Sequence, residues 1–249
     1  LFISQGLGRM NAAWALSFCG IDFLVVSFNG NLVTEIFHSL QGETSLSGLP
    51  FAFIRLTGCN LRCTYCDSAY AFHGGTRMSI SDILERIKPY QVKHALITGG
   101  EPLLQRNTTD LVEALRDAGY SVSIETHGEV SVAPVAGRAR LVMDVKTPSS
   151  GMARGGYAKN LSLLQKTDEV KFVISSKEDY RFAKILVQSG IIPTEEILFS
   201  PALPHANSPG HFEGVPARWL AEKILEDRLS VRFQMQLHKS IWGSETRGV

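Results

Sequence analysis

From Asn31 onward the chain alternates two hydrophobic patterns. Short apolar runs, bounded by glycine or polar residues, suit buried strands at residues 51–56, 94–98, 121–125, 141–144, 169–174 and 197–200, with a last one at 231–236. Amphipathic stretches between them suit helices at 79–87, 110–118, 176–189 and 216–225. Ser79 and Ser176 each stand three residues before an aspartate, Asp82 and Asp179, a helix-start pattern. Gly119 and Gly190 read as helix stops. Strand and helix alternation predicts an α/β fold with a mostly parallel sheet. The polar residues fall at the strand ends: Thr57-Gly58-Cys59, Thr98 to Pro102, Glu125 to Gly128, Asp144 to Lys146, Ser175-Ser176 and Ser200-Pro201. In β/α barrels the carboxyl ends of the strands build the site. Six such units are too few for a closed eight-stranded barrel, so the expectation is a partial, open β/α barrel of about six parallel strands.

Residues 1–30 differ. The stretch 12–28 is apolar but broken by Ser17, Gly20, Asp22 and Ser27. A membrane span needs about 20 predominantly apolar residues, and Asp22 near the middle counts against one. Arg9 and the run Ala12 to Leu16 only weakly imitate a signal peptide. We expect residues 1–30 to be an extension from an upstream start and 31–249 to form a single domain.

Apolar residues make up 44% of the 249 and charged residues 20%, which excludes disorder for the bulk of the chain. A net charge of +1 supplies no general basic field for nucleic acid. Four cysteines are too few for a disulfide scaffold, yet Cys59, Cys63 and Cys66 fall within eight positions. Clustered thiolates suit zinc or an iron–sulfur cluster in a reducing compartment. Structural zinc closes its shell with four ligands, and a fourth is not obvious: His73 lies seven residues on, and Cys19 is in the N-terminal stretch. Three thiolates on a four-iron cluster leave one iron open.

The spacing C-x3-C-x-aromatic-C, here Cys59, Cys63, Tyr65 and Cys66, followed by Gly99-Gly100-Glu101-Pro102, resembles the radical S-adenosylmethionine (SAM) superfamily. Further segments narrow the resemblance: Thr34 to Glu43, Arg55, Asp67-Ser68, Asp144 to Ser150, and Gln236 to Gly243. Together they resemble the 7-carboxy-7-deazaguanine synthase family of the queuosine and deazapurine pathway. The resemblance implies a radical SAM core, a [4Fe-4S] cluster, SAM and Mg2+. It also implies ring contraction of 6-carboxy-5,6,7,8-tetrahydropterin to 7-carboxy-7-deazaguanine with release of ammonia.

Carried over residue by residue, Cys59, Cys63 and Cys66 match the cluster ligands. Tyr65, Cys66, Asp67, Gly100, Glu101, Asp144, Val145 and Lys146 match SAM contacts, with Ser200, Pro201, Ala202 and Leu203 as a looser match. Leu40, Gln41, Gly42, Glu43, Arg55, Thr98 and His238 match substrate contacts, and Ser68 matches a Mg2+ ligand that is usually Thr. No protein acid or base is implied, because the cofactor carries the radical chemistry. The family resemblance further implies a cytoplasmic homodimer, an electron donor such as flavodoxin, and neither nucleic acid nor membrane as partner.

Each side chain has a structural alternative. Arg55 could be an inward strand residue with an ion-pair partner, Glu43 a surface loop carboxylate, His238 a core histidine, and Asp144 with Lys146 a structural ion pair on one strand face. Glu125 either caps its strand end or approaches the ribose. His127 stands where the family often has Asn or Ser. The tail, Ser244 to Val249, either folds over the mouth of the site or makes a dimer contact. An activating enzyme for a glycyl radical protein shares the cysteine spacing and is the runner-up; a zinc- or cluster-stabilised binding module is a third possibility.

Overall fold

A computed structural model describes residues 30–204, 209–210 and 212–249. The expected extension, Gly30 excepted, lies outside the described residues, as do Cys19, His205 and His211. The strands are β1 (Gly30–Leu40), β2 (Pro50–Leu56), β3 (Thr76–Ser79), β4 (His94–Gly99), β5 (Ser121–Thr126), β6 (Arg140–Asp144), β7 (Glu169–Ile174), β8 (Glu196–Pro201) and β9 (Arg232–Phe233). The helices are α1 (Ile80–Ile87), α2 (Thr108–Asp117), α3 (Tyr157–Leu161), α4 (Lys177–Gln188), α5 (Ala217–Glu226) and α6 (Leu237–Trp242).

Among the described residues, nine strands form one sheet in the order β3-β1-β2-β4-β5-β6-β7-β8-β9. From β2 to β9 every pairing is parallel, while β1 runs antiparallel to β2 and β3. The ends β3 and β9 do not pair, so the barrel is open as expected. The parallel part holds seven strands, and the hydrophobic pattern does not reveal β1 and β3. β1 mixes Thr34, Glu35 and His38 with apolar residues and is only partly buried through its middle, so it reads as a motif rather than a strand. β9 spans two residues rather than six. Beyond it the Gln234 amide N–H still donates to Phe199 O, but the Gln234 side chain turns to Thr44 O. The short α3 and α6 have no side-chain N-cap and lie outside the expected helices.

Period-two alternation divides the residues between the sheet's faces. Ala52, Ile54 and Leu56 of β2, Ala95 and Ile97 of β4, Leu141 and Met143 of β6, and Val170 and Phe172 of β7 pack outward into the main core, with Ile83, Leu111, Ala183 and Leu220 of the helices. Their neighbours Arg55, Thr98, Glu125, Asp144 and Lys171 therefore point inward. Both serine–aspartate helix starts are reciprocal capping boxes, and Gly119 and Gly190 stop helices at positive φ.

Candidate functional site

The three cysteines occupy the loop after β2, and all three are free thiols. The loop is pinned from several directions. Glu101 N–H donates to Gly58 O (2.8 Å), Thr64 N–H to Ser150 O (3.1 Å), and Thr64 Oγ1 to Ser149 O (2.8 Å). Leu61, Met152, Val173 and Phe212 surround the thiols. Burial pushes all three thiols up, Cys66 to about 11, so cluster assembly must displace their protons. Three soft donors in an apolar shell at a cavity wall fit an iron–sulfur cluster.

Two glycines let the next strand end lie against this loop. Gly99 has φ +149°, and an added Cβ would meet Leu56 O at 2.2 Å. At Gly100 a Cβ would meet Gly58 O at 2.3 Å and the Cys59 Cβ at 2.6 Å. Only glycine allows backbone to approach backbone so closely. The neighbouring Glu101 turns away from the cavity. It is fully buried and accepts from Leu103 N–H, Thr126 Oγ1 and His127 N–H, and burial raises its carboxyl pKa.

A cavity of about 240 Å³ opens along the inward face. Tyr65, Cys66, Asp67, Gly100, Asp144, Lys146, Ala202 and Leu203 of the expected SAM set line it. Val145 packs in the outer core, and Ser200 and Pro201 are buried in β8; neither these three nor Glu101 is a lining residue. Lys146 donates to Asp144 Oδ2 (2.8 Å), while the buried Asp144 Oδ1 has no partner. An orphaned acceptor at the wall fits a ligand that brings hydroxyl or amino donors, as SAM does.

All seven expected substrate contacts also line the cavity. The Gly42 turn is zipped to α6: Leu237 N–H donates to Gly42 O (3.0 Å), and a Cβ at Gly42 would lie 2.4 Å from His238 Nδ1. Buried Gln41 uses Oε1 to accept from Glu43 N–H and leaves Nε2 unpartnered. Arg55 Nε donates to Glu35 Oε1 (2.7 Å), directly across the β1–β2 ladder, so its ion-pair alternative and its cavity exposure hold together. Thr98 Oγ1 donates to Glu125 Oε2 (3.1 Å), and burial raises the Glu125 carboxyl. Ser68 Oγ donates to Asp67 Oδ1 (3.1 Å), whose Oδ2 accepts from Lys239 (2.7 Å). Burial opposes ionisation of Asp67, but Lys239 and Arg55 prevail and hold it well below the usual range.

Four partners of these groups were not among the expected site residues, although Gln236 and Lys239 lie in the segment 236–243 that carries the resemblance. Lys171, Gln236 and Lys239 grip the carboxylates of Glu43 and Asp67, and Tyr70 OH donates to Glu35 (2.7 Å). For Lys171 the hint is a lysine inside the apolar run 169–174. Against Glu43, burial is outweighed by Lys171 and His238, and its carboxyl falls to about 2. Of the tail, Ser244 to Val249 line the cavity, and Arg247 sits 4.1 Å from the centre of the Tyr70 ring.

The radical SAM superfamily profile matches residues 53–150. Over 225 residues the chain is 42% identical to the 7-carboxy-7-deazaguanine synthase of Koribacter versatilis, covering 87% of this chain and 99% of that one. The enzyme of the same name from Chlorobaculum tepidum is 41% identical, covering 87% and 96%. This chain belongs to the 7-carboxy-7-deazaguanine synthase family. It is a radical SAM enzyme, which sets aside the activating-enzyme and binding-module readings. The fold is shared with the crystal structure of QueE from Escherichia coli: TM-score 0.64, 24% identity, 84% of this chain and 95% of that one. A SAM-bound Streptococcus suis SuiB shares the core more distantly, at TM-score 0.54 and 13% identity over 75% of this chain and 50% of that one. Among the described residues no helix is long and apolar enough to cross a membrane.

Proposed function

We propose that this member of the family contracts the ring of 6-carboxy-5,6,7,8-tetrahydropterin to 7-carboxy-7-deazaguanine and releases ammonia. The observation that carries the reading is one cavity lined by Cys59, Cys63 and Cys66, by Asp144 and Lys146, and by Glu43, Arg55 and His238. When bound, a [4Fe-4S] cluster and SAM supply the 5′-deoxyadenosyl radical that takes hydrogen from the substrate. The three cysteines hold the cluster. Gly100 admits the methionyl end of SAM beside the cysteine loop, Tyr65 offers a buried ring for its adenine, and Asp144 Oδ1 offers an acceptor. Glu43 accepts from the amide and amino edge of the pterin, and Arg55 offers a rigid fork to the substrate carboxylate. The apolar shell and the tail keep water from the reacting centre.

Ser68 is assigned to Mg2+. It donates its proton to Asp67 and so keeps oxygen lone pairs for a hard cation, the donor Mg2+ prefers. Ser68→Ala should retain the iron of the parent and lose most turnover; parallel loss of iron and turnover would remove this assignment. The same reading takes a flavodoxin-type electron donor and a homodimeric, cytoplasmic enzyme of queuosine biosynthesis, each an extension of the family resemblance.

Mass spectrometry of an anaerobic reaction with reconstituted protein, SAM, Mg2+, reductant and 6-carboxytetrahydropterin tests the whole proposal. A product lighter by one ammonia, with little net loss of SAM, supports it. Formation of 5′-deoxyadenosine without that product overturns the substrate.

A further inference from the structure

Lys171 is a lysine in the middle of a buried parallel strand, with a side chain only 7% exposed. Its strand register places it beside Asp144 of β6 and Leu198 of β8, and its inward direction takes the ammonium into the cavity wall. There Nζ is ion-paired and hydrogen-bonded to Glu43 Oε2, and it lies 3.9 Å from Asp144 Oδ2. The other oxygen, Glu43 Oε1, accepts from Gln236 Nε2 (2.7 Å). Both oxygens of one carboxylate are thus fixed by donors 128 and 193 positions away in the chain. A carboxylate oxygen has two acceptor sites, so each still has one to offer.

The charges here are matched individually. Asp144 has Lys146, Asp67 has Lys239, Glu35 has Arg55, and Glu43 has Lys171. The contrast with Glu125 shows what the match does. Glu125 is also enclosed, its side chain accepts from the neutral Thr98 hydroxyl rather than from an ammonium, and burial, reinforced by Glu43 and only partly opposed by Lys171, raises its carboxyl. Glu43 is kept ionised, and an ionised carboxylate accepts only, whereas a protonated one carries a donor. Buried charge is tolerated only when paired and hydrogen-bonded.

We propose that Lys171, with Gln236, is the positioning residue that fixes Glu43 as an acceptor-only carboxylate aimed into the cavity, and thereby sets preference for a ring that presents adjacent N–H donors. This rests on the reading of Glu43 as a substrate contact. Asp144 and Glu125 also act on Lys171, and Glu125, His238 from α6 and Asp67 from the cysteine loop also face Glu43. The pair therefore sits inside a balanced set of charges, and a cycle of substitutions separates it from the rest.

The test measures anaerobic binding of 6-carboxytetrahydropterin by calorimetry, and kcat and KM against pH. The proteins are the parent, Lys171→Met, Lys171→Arg, Glu43→Gln and the double variant, each reconstituted with cluster and SAM. Lys171→Met should weaken substrate binding and raise KM roughly tenfold, with a smaller effect on kcat. It should also bring an acid limb of kcat/KM into the measurable range, because Glu43 then protonates at higher pH. Lys171→Arg should keep the flat acid side. In the Glu43→Gln background Lys171→Met should cost less than about twofold more. A further tenfold loss in that background, or no movement of the acid limb, overturns the proposal. The double variant leaves neither charge uncompensated, so it decides the question if Lys171→Met does not fold. Unchanged binding in Glu43→Gln would overturn the substrate-contact reading itself, whatever Lys171 does.

Discussion

An added Cβ at Gly100 would sit 2.3 Å from Gly58 O, inside the contact distance of any real methyl group. The obstacle is backbone, so the cysteine loop must move. Gly100→Ala should weaken SAM binding at least about tenfold and lower iron retention while leaving the far-UV circular dichroism intact. His127 illustrates a different residue-scale constraint. Glu129 N–H donates to Nδ1 (3.0 Å), so the neutral ring carries its proton on Nε2, which faces Asn60 Oδ1 (2.9 Å) and Glu101 Oε2 (3.2 Å). Burial, with Lys146 nearby, lowers its pKa from 6.5 to about 4. The unfolded chain then takes up the proton first. Stability is lost as pH falls from about 6.5 toward 4 and is untouched by this group at higher pH. The full contribution is about 3 kcal/mol at most. His127→Gln should flatten that part of the curve of denaturation midpoint against pH.

At the level of elements, two capping boxes look alike in the sequence and differ in their surroundings. Asp82 of α1 is exposed and, among the described residues, its side chain bonds within its own cap, through Ser79 N–H and Oγ. Asp179 of α4 is fully buried and accepts from Ser175 N–H, Ser175 Oγ, Ser176 N–H and the distant Ser149 N–H. It therefore ties the helix to the turn that follows Asp144 and Lys146. Asp82→Ala should cost about 1 kcal/mol, as an ordinary cap does. Asp179→Ala strands several buried donors and should cost roughly 3 kcal/mol or more, read by calorimetric melting. Parallel strands are the most legible elements, because strands buried on both faces read as continuous apolar runs. β7 occupies the span its run marks, 169–174. The antiparallel β1, with mixed polarity, carries no such run.

For the whole molecule, the decisive feature is that residues 244–249, outside the sheet, help to line the cavity on its inward face. Arg247 stacks on Tyr70 at 4.1 Å, and Arg55 approaches the same ring at 5.8 Å. Arg247→Ala should leave the melting temperature nearly unchanged, since residue 247 is exposed. It should raise KM for the pterin roughly two- to fivefold, the range of an exposed cation–π contact. The steady-state KM measured beside a melting curve separates the two effects.

Whatever depends on near neighbours was already set by the order of residues along the chain. The spacing of Cys59, Cys63 and Cys66, the glycines at 99 and 100, and the alternation that turns Arg55, Thr98 and Asp144 inward are all local properties. So the thiol loop and the open barrel were legible in the sequence, and the family resemblance carried by its motifs added many of the residues that line the cavity. The Asp144–Lys146 pair was legible from its spacing, but which charges meet across distant segments is a matter of the folded chain alone. Lys171 finds Glu43, Lys239 finds Asp67 and Gln236 completes the grip only after strand register and the α6 turn are set. Coulomb and hydrogen-bond energies depend on ångström separations in a low dielectric, and residues 128 or 172 positions apart carry no pattern that foretells them.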